Sequence, residues 1–273
     1  MCDVCVMSAV KERMLSRREV FKTTAVAGAA AATGGIAAAP PALAGGHASV
    51  VDLSHVYDEY FPTYFGAPGI SKEQPFTFDE HGFNLMNLTI NEHTGTHIDA
   101  PLHFSADGQS VDEIPLDTLV VPLCIVDIAS RAETDPNAQV TPDDLRAWIS
   151  KHGDIPEHAC VAMHSGWGEK TGALEYRNED ENGVMHFPGF HSEAAQMLVE
   201  ETSAVAIGVD TLSLDFGPST DFATHYTWLP ANRYGIENLK ALDQLPASGA
   251  TIVVGASTHK GGSGGPARIF AMV

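Results

Sequence analysis

His93-Thr94-Gly95-Thr96-His97-Ile98-Asp99-Ala100-Pro101-Leu102-His103-Phe104 is the stretch on which the reading of this chain turns. Residues 93–99 hold two imidazoles and a carboxylate, the donor set of zinc, manganese and iron sites. A fourth titratable group, His103, follows four residues after Asp99. Gly95 and Pro101 argue against a long helix. The expected local structure is a turn with strand on one side, bent at Gly95 so that His93, His97 and Asp99 aim at one point. This pattern points to a metal enzyme.

Upstream, residues 16–22 read Ser-Arg-Arg-Glu-Val-Phe-Lys and precede a mildly apolar run at 23–39 and then Pro40-Pro41-Ala42-Leu43-Ala44. Paired arginines, a short apolar run and Ala-x-Ala form a twin-arginine export signal, cleaved after residue 44. The run is too short and too rich in Ala and Gly for a membrane span. Residues 45–273 then make the mature protein, a single large domain with a substantial core. The expected location is periplasmic or extracellular, with no stable membrane association after cleavage.

The formal net charge is −20, from 15 Lys and Arg against 35 Asp and Glu. Residues 1–44 carry five basic and three acidic side chains, so the remainder stands at −22. Nucleic acid is excluded as a partner for so acidic a body. Cys2 and Cys5 fall in the leader. Cys124 and Cys160 each sit in an apolar run that reads as a buried strand, and both are expected to be free thiols.

Strands are expected at 50–54, 83–92, 119–128, 160–164, 204–209 and 251–255. Helices are expected at 142–149, with Thr141 as N-cap and Pro142 at the first position, and at 192–202, with a short helical piece at 238–242. Residues 55–82 read as a long irregular loop. Gly261-Gly262-Ser263-Gly264-Gly265 precedes no helix pattern, so it is no phosphate cradle. The class is mixed α/β, a mixed sheet with flanking helices.

The 93–103 motif resembles the signature of the metal-dependent cyclase family, which includes bacterial kynurenine formamidase and isatin hydrolase. Asp52-Leu53-Ser54-His55, Ser165-Gly166-Trp167, Gly208-Val209-Asp210-Thr211-Leu212-Ser213 and Gly264-Gly265-Pro266-Ala267-Arg268 resemble further blocks of that family. The resemblance implies a swivelling β/β/α fold and a homodimer or homotetramer. It implies that His93, His97 and Asp99 hold a first divalent ion, Zn²⁺ or Mn²⁺, with His103 as proton donor and acceptor. His225 and Glu237, twelve residues apart, match the pair that completes a second metal site, so one or two ions per chain are expected. Tyr64 stands where formamidases place a substrate-stacking Trp. Tyr64, Phe65, Trp167 and Trp228 are therefore the candidate walls for an aromatic or planar small molecule, with Phe76 and Phe78 as further aromatic candidates. His55 is left between orienting a ligand and a structural hydrogen bond.

The implied function is hydrolysis of an amide or cyclic amide C–N bond, on an aryl formamide or an isatin-like substrate. A lactone hydrolase, or a cyclase or dehydratase, would use the same ligands. A non-catalytic exported metal-binding protein would have no use for His103.

Overall fold

The computed structural model describes residues 49–171 and 174–273. The leader at 1–44, with Cys2 and Cys5, lies outside the described residues. The strands are β1 (Val50–Asp52), β2 (Ile70–Phe76), β3 (Leu85–Ile90), β4 (His97–Asp99), β5 (Val120–Asp127), β6 (Gln139–Val140), β7 (Cys160–His164), β8 (Gly189–Phe190), β9 (Ala206–Val209), β10 (Tyr234–Glu237), β11 (Ala250–Ala256) and β12 (Gly264–Met272).

At the centre β5, β7, β9 and β10 run parallel, with Cys124 opposite Val161, Val161 opposite Ile207 and Gly235 opposite Ile207. Their near-continuous apolar sequence is what a strand covered on both faces requires. In β7, Cys160 and Ala162 join one core while Val161 and Met163 join the other. The sheet order is β1-β12-β11-β5-β7-β9-β10-β4, and β4 pairs again with β12. Seven strands therefore close into a barrel-like ring, with β1 added along the far end of β12. Inside it lie Ile98, Leu123, Ile125, Ala206, Ile236, Ile252 and Ile269.

The outer face of the parallel strands is covered by the helices Pro142–His152 and Ser192–Glu201. Thr141 caps the first of these, its hydroxyl accepting from the Asp144 N–H while the Asp144 carboxylate accepts from the Thr141 N–H, and Pro142 opens it as expected. Trp148 locks this helix to the sheet by donating Nε1–H to the Ile125 carbonyl at 3.0 Å. Among the described residues no helix is long and apolar enough to cross a membrane.

Cys124 and Cys160 are free and buried. They belong to adjacent strands but to the cores on opposite faces of the sheet. Strand alternation thus keeps the two sulfurs apart.

Several expectations fail for identifiable reasons. The loop expected at 55–82 contains β2 and the short helix Phe78–His81. Lys72-Glu73-Gln74-Pro75 gives β2 no apolar alternation to read. The helical piece expected at 238–242 is absent, because Asn238 and Ala241 both take positive φ, 58° and 55°, and a 3₁₀ turn at Leu242–Gln244 follows instead. β10 and β12 were not anticipated. The glycine run at 261–265 opens β12, and a Cβ on Gly264 would lie 2.4 Å from the Ile98 carbonyl oxygen and 2.7 Å from His93 Cε1. Glycine there permits the close approach of β12 to the histidine motif.

Contacts divide the chain into two units. Lys72–Leu88 belongs to one, and Ala48–Ser71 with Thr89–Val273 forms the other. Within the first, Phe76 stacks on Phe83 at 5.1 Å.

Candidate metal centre and its cavity

The segment 92–96 bends and then enters β4, which carries His97 and Asp99. Gly95 makes the bend at φ 61°, and a Cβ there would lie 2.5 Å from the Tyr57 ring. β4 pairs antiparallel with β10, with Gly235 opposite Asp99 and Glu237 opposite His97. Strand pairing thus brings Glu237 beside a motif about 140 positions earlier in the chain. His225 arrives from the helix Ala223–Trp228.

Four buried side chains meet in a ring of donors. His97 Nε2 lies 3.4 Å from Asp99 Oδ1 and 3.3 Å from Glu237 Oε2. His225 Nε2 lies 3.5 Å from Asp99 Oδ2 and 3.4 Å from Glu237 Oε1. Two donors each about 2.1 Å from one tetrahedral ion stand about 3.4 Å apart, so these separations fit the edges of a coordination shell. His97 Nε2 and Asp99 Oδ2 are buried without a hydrogen-bond partner. Such orphaned atoms are costly unless a ligand satisfies them. The donor set fits a divalent cation.

The other face of each imidazole is held. His97 Nδ1–H donates to the Gly95 carbonyl at 2.9 Å, which leaves Nε2 facing the ring. His225 Nδ1–H donates to Asp215 Oδ2 at 2.6 Å, and Asp215 is fixed in turn by the N–H groups of Thr224 and His225. Such partners set the tautomer of a ligating histidine. Glu237 Oε1 also accepts the Leu214 N–H at 3.0 Å.

His93 forms a second group with Asp99 and His103, their donor atoms within 4.8 Å of one another. His93 Nδ1–H donates to Asp99 Oδ1 at 2.7 Å, and its Nε2 lies 3.1 Å from Ser263 Oγ. His103 stacks on the His93 ring at 3.9 Å. Asp99 is thus shared by both groups, as a bridging carboxylate would be.

Electrostatics agree with a cation site. Burial opposes a charge on His97, but Asp99 and Glu237 override it and raise its pKa to about 10. Burial likewise opposes a charge on His225, which Asp215, Asp99 and Glu237 hold well above the usual imidazole range. Burial works against the Asp99 carboxylate, yet His225, His93 and His97 hold it well below the usual range. At pH 7 the metal-free centre therefore keeps protons on His97 and His225, where a cation would replace them. Uptake of a divalent ion at pH 7 is expected to release about two protons per chain, and affinity is expected to fall steeply with acid. Calorimetry in two buffers of different ionisation enthalpy measures this release. Zero release would place the ion elsewhere.

The centre lies on the wall of a cavity of about 360 Å³. Tyr64 and Phe65 line it, as do Phe104 and Phe222, which the sequence reading did not single out. Tyr64 and Phe222 pack at 5.9 Å and Phe104 and Phe222 at 5.5 Å, forming one aromatic wall. Trp167 and Trp228 do not face it. Trp228 is 0% exposed in the helix-covered core and donates Nε1–H to the Tyr234 carbonyl. Trp167 is 2% exposed and donates to the Tyr176 carbonyl in a small cluster of its own. Both indoles bury their rings and satisfy their N–H on backbone, which makes them packing residues. Phe76 and Phe78 belong to the Lys72–Leu88 unit. His55 donates its backbone N–H to Thr96 Oγ1 at 2.9 Å, so at least its main chain is structural. Asp215 and Ser263 were missed. The rule that a ligating imidazole needs a partner on its second nitrogen would have prompted a search for them.

The chain matches the family model described as "Putative cyclase" over residues 51–216. It is 29% identical over 250 residues to isatin hydrolase from Roseibium aggregatum, spanning 85% of this chain and 94% of that protein. It is 28% identical over 198 residues to kynurenine formamidase from Salinibacter ruber, spanning 70% and 80%. The solved structure of isatin hydrolase A from Labrenzia aggregata bound to benzyl benzoate superposes with a TM-score of 0.77 at 34% identity, covering 82% of this chain and 93% of that one. An isatin hydrolase bound to the product analogue thioisatinate gives 0.77 at 27% identity, covering 82% and 92%. With the ring of strands, the histidine motif and the sequence match in agreement, the chain belongs to the cyclase family.

Proposed function

We propose that this protein is a metal-dependent hydrolase that cleaves the C–N bond of an aromatic or planar amide, an aryl formamide or an isatin-like cyclic amide. The observation that carries it is the ring of two imidazoles and two carboxylates, 3.3–3.5 Å apart, on the wall of an aromatic cavity. The names of the relatives, isatin hydrolase and kynurenine formamidase, support the bond type.

A divalent ion bound there supplies acidity to water and polarises a carbonyl. His97 and His225 offer it neutral nitrogens, each with the proton kept on Nδ1 by Gly95 and Asp215. Asp99 and Glu237 offer two negative charges, which balance a dication in a buried place. His103 takes the proton that the attacking water gives up and returns it to the leaving nitrogen as the C–N bond breaks. The products are a carboxylate and an amine. Tyr64, Phe65, Phe104 and Phe222 hold the planar part of the substrate and keep water from that wall.

The finer assignments belong to the same proposal. Zinc or manganese suits imidazole with carboxylate, and the sharing of Asp99 by two donor groups supports room for one or two ions. A homodimer or homotetramer is supported by exposed Val56, Tyr60, Phe65 and Leu174. Arg17-Arg18 and Ala42-Leu43-Ala44 support twin-arginine export to the periplasm or beyond.

The test is to strip the protein of metal, reload it with zinc or manganese, and assay aryl formamides, isatin-like cyclic amides and lactones. Amide hydrolysis by a loaded form and none by the stripped form is expected. No ion bound, or lactones turned over and amides not, would sink the reading.

A further inference from the structure

Asn238 follows Glu237 directly and takes a left-handed backbone, φ 58°. A side chain in that region needs a local reason. Asn238 is 2% exposed, and both ends of it are engaged. Its backbone N–H donates to the Thr211 carbonyl at 3.0 Å, and its backbone carbonyl accepts the Thr96 hydroxyl at 2.6 Å. Its side-chain Nδ2–H donates to the Gly95 carbonyl at 2.9 Å. The Tyr176 hydroxyl donates to its Oδ1 at 2.6 Å. A carbonyl only accepts, so the amide nitrogen must face Gly95 and its oxygen must face Tyr176.

The Gly95 carbonyl also accepts His97 Nδ1–H at 2.9 Å. One carbonyl oxygen thus joins Asn238 to the imidazole whose Nε2 faces the ring. The left-handed turn at Asn238 ends β10 just where Glu237 must reach back to within 3.3 Å of His97. One residue touches both halves of the centre, the motif at 93–99 and the Glu237 arm, without contributing a ligand atom.

We propose that Asn238 is a positioning residue for the metal centre: its amide pins the Gly95 carbonyl, which holds the His97 ring by its Nδ1–H, and its backbone turn aims Glu237. The proposal rests on the reading that His97 and Glu237 hold an ion. Asparagine is specific to this task. Aspartate has no hydrogen to give Gly95, glycine keeps the left-handed backbone but has no amide, and alanine has neither advantage.

The test is zinc titration of the metal-stripped wild type and of Asn238→Gly, Asn238→Asp and Tyr176→Phe. Asn238→Gly and Asn238→Asp are expected to bind zinc about 10- to 100-fold more weakly, the usual effect of losing a residue that orients a ligand. Tyr176→Phe leaves the amide in place with its oxygen unpartnered, and about a 2- to 10-fold loss is expected. The ring N–H signal of His97 in the zinc-loaded proteins supplies a readout that a merely structural role would not move. An ion on Nε2 fixes the Nδ1–H form in every loaded protein, so the measure is the hydrogen bond of that Nδ1–H to Gly95. Its signal should exchange slowly with water in the wild type and faster in Asn238→Gly. If Asn238→Gly does not fold, Asn238→Asp and Tyr176→Phe carry the same comparison. Wild-type zinc affinity and an unchanged His97 signal in the folded variants would overturn the proposal. A wild type that takes no zinc would instead overturn the reading of the site itself, and the role of Asn238 with it.

Discussion

Asp99→Asn is expected to weaken divalent-ion binding by about 10²- to 10⁴-fold. Asp99 is 1% exposed and stands among three imidazoles, 2.7 Å from His93, 3.4 Å from His97 and 3.5 Å from His225. It is the one residue common to both groups of donors. Asparagine keeps the shape but removes the charge, and its NH₂ end would meet nitrogens that already have hydrogens to donate. Removing one member of a buried charge pair costs about 3–5 kcal/mol, which is the stated range in a binding constant. Titration of the stripped variant with zinc or manganese measures it. An affinity within about threefold of wild type would show that Asp99 does not hold the ion, and the site would have to be redrawn around His97, His225 and Glu237 alone.

The second large effect separates chemistry from ion binding. His103→Ala is expected to keep its ion and to lose turnover by about 100-fold or more, the usual contribution of a positioned acid–base group. Burial lowers the pKa of His103 to about 4, with the neighbouring His93 and His225 adding to the effect and Asp99 and Glu237 opposing it. The imidazole is therefore neutral at pH 7 and free to accept a proton. As pH falls through about 4 it fills, so the activity that depends on it is retained at neutral pH and lost in strong acid. Steady-state rates of the loaded variant, together with its metal content, decide the matter. Full metal with near wild-type kcat would reject the role, whereas loss of metal would make His103 a ligand.

What could be read from the sequence, and what could not, divides along physical lines. β7 and the helix Pro142–His152 came out as expected because each carries a complete local signal: an unbroken apolar run in one, a Thr-Pro cap with acids behind it in the other. β10 is Tyr-Gly-Ile-Glu, four residues, too short for a period to declare itself. β12 opens on Gly264-Gly265-Pro266, residues that local propensity assigns to loops, and only its register against Ile98 makes them strand. Likewise His225 and Glu237 were legible only through the family resemblance, because no local pattern ties them to a motif so far away. Asp215 and Asn238 escaped because their partners are a ring nitrogen and a carbonyl defined by the fold. Trp167 and Trp228 were misplaced since an aromatic in a core and one in a pocket have the same sequence signature.

The other sequence blocks turn out to be seams. Asp52 receives two bonds from Arg268, at 3.0 and 2.9 Å, and Ser54 exchanges hydrogen bonds with the Ile269 backbone. Ser165 donates its hydroxyl and its N–H to Asp210. These contacts join the blocks to one another or, at Ile269, to the residue that follows one, so the resemblance along the chain marks where strands are fastened together as much as where chemistry happens.

That ring has a consequence for how the protein is made. β12, the last strand of the chain, is an interior member of the sheet, bonded to β11 on one side and to β4 and β1 on the other. Until residues 264–266 are in place, β4 lacks one of its two neighbours, and the strand that bears His97 and Asp99 has an open edge. The pairing of β1 with β12 spans nearly the whole described chain, a long-range closure that makes folding slow. The centre is therefore completed only when residues 264–266 lie against β4, and a chain without that segment would present its histidines without the enclosure that makes them a site.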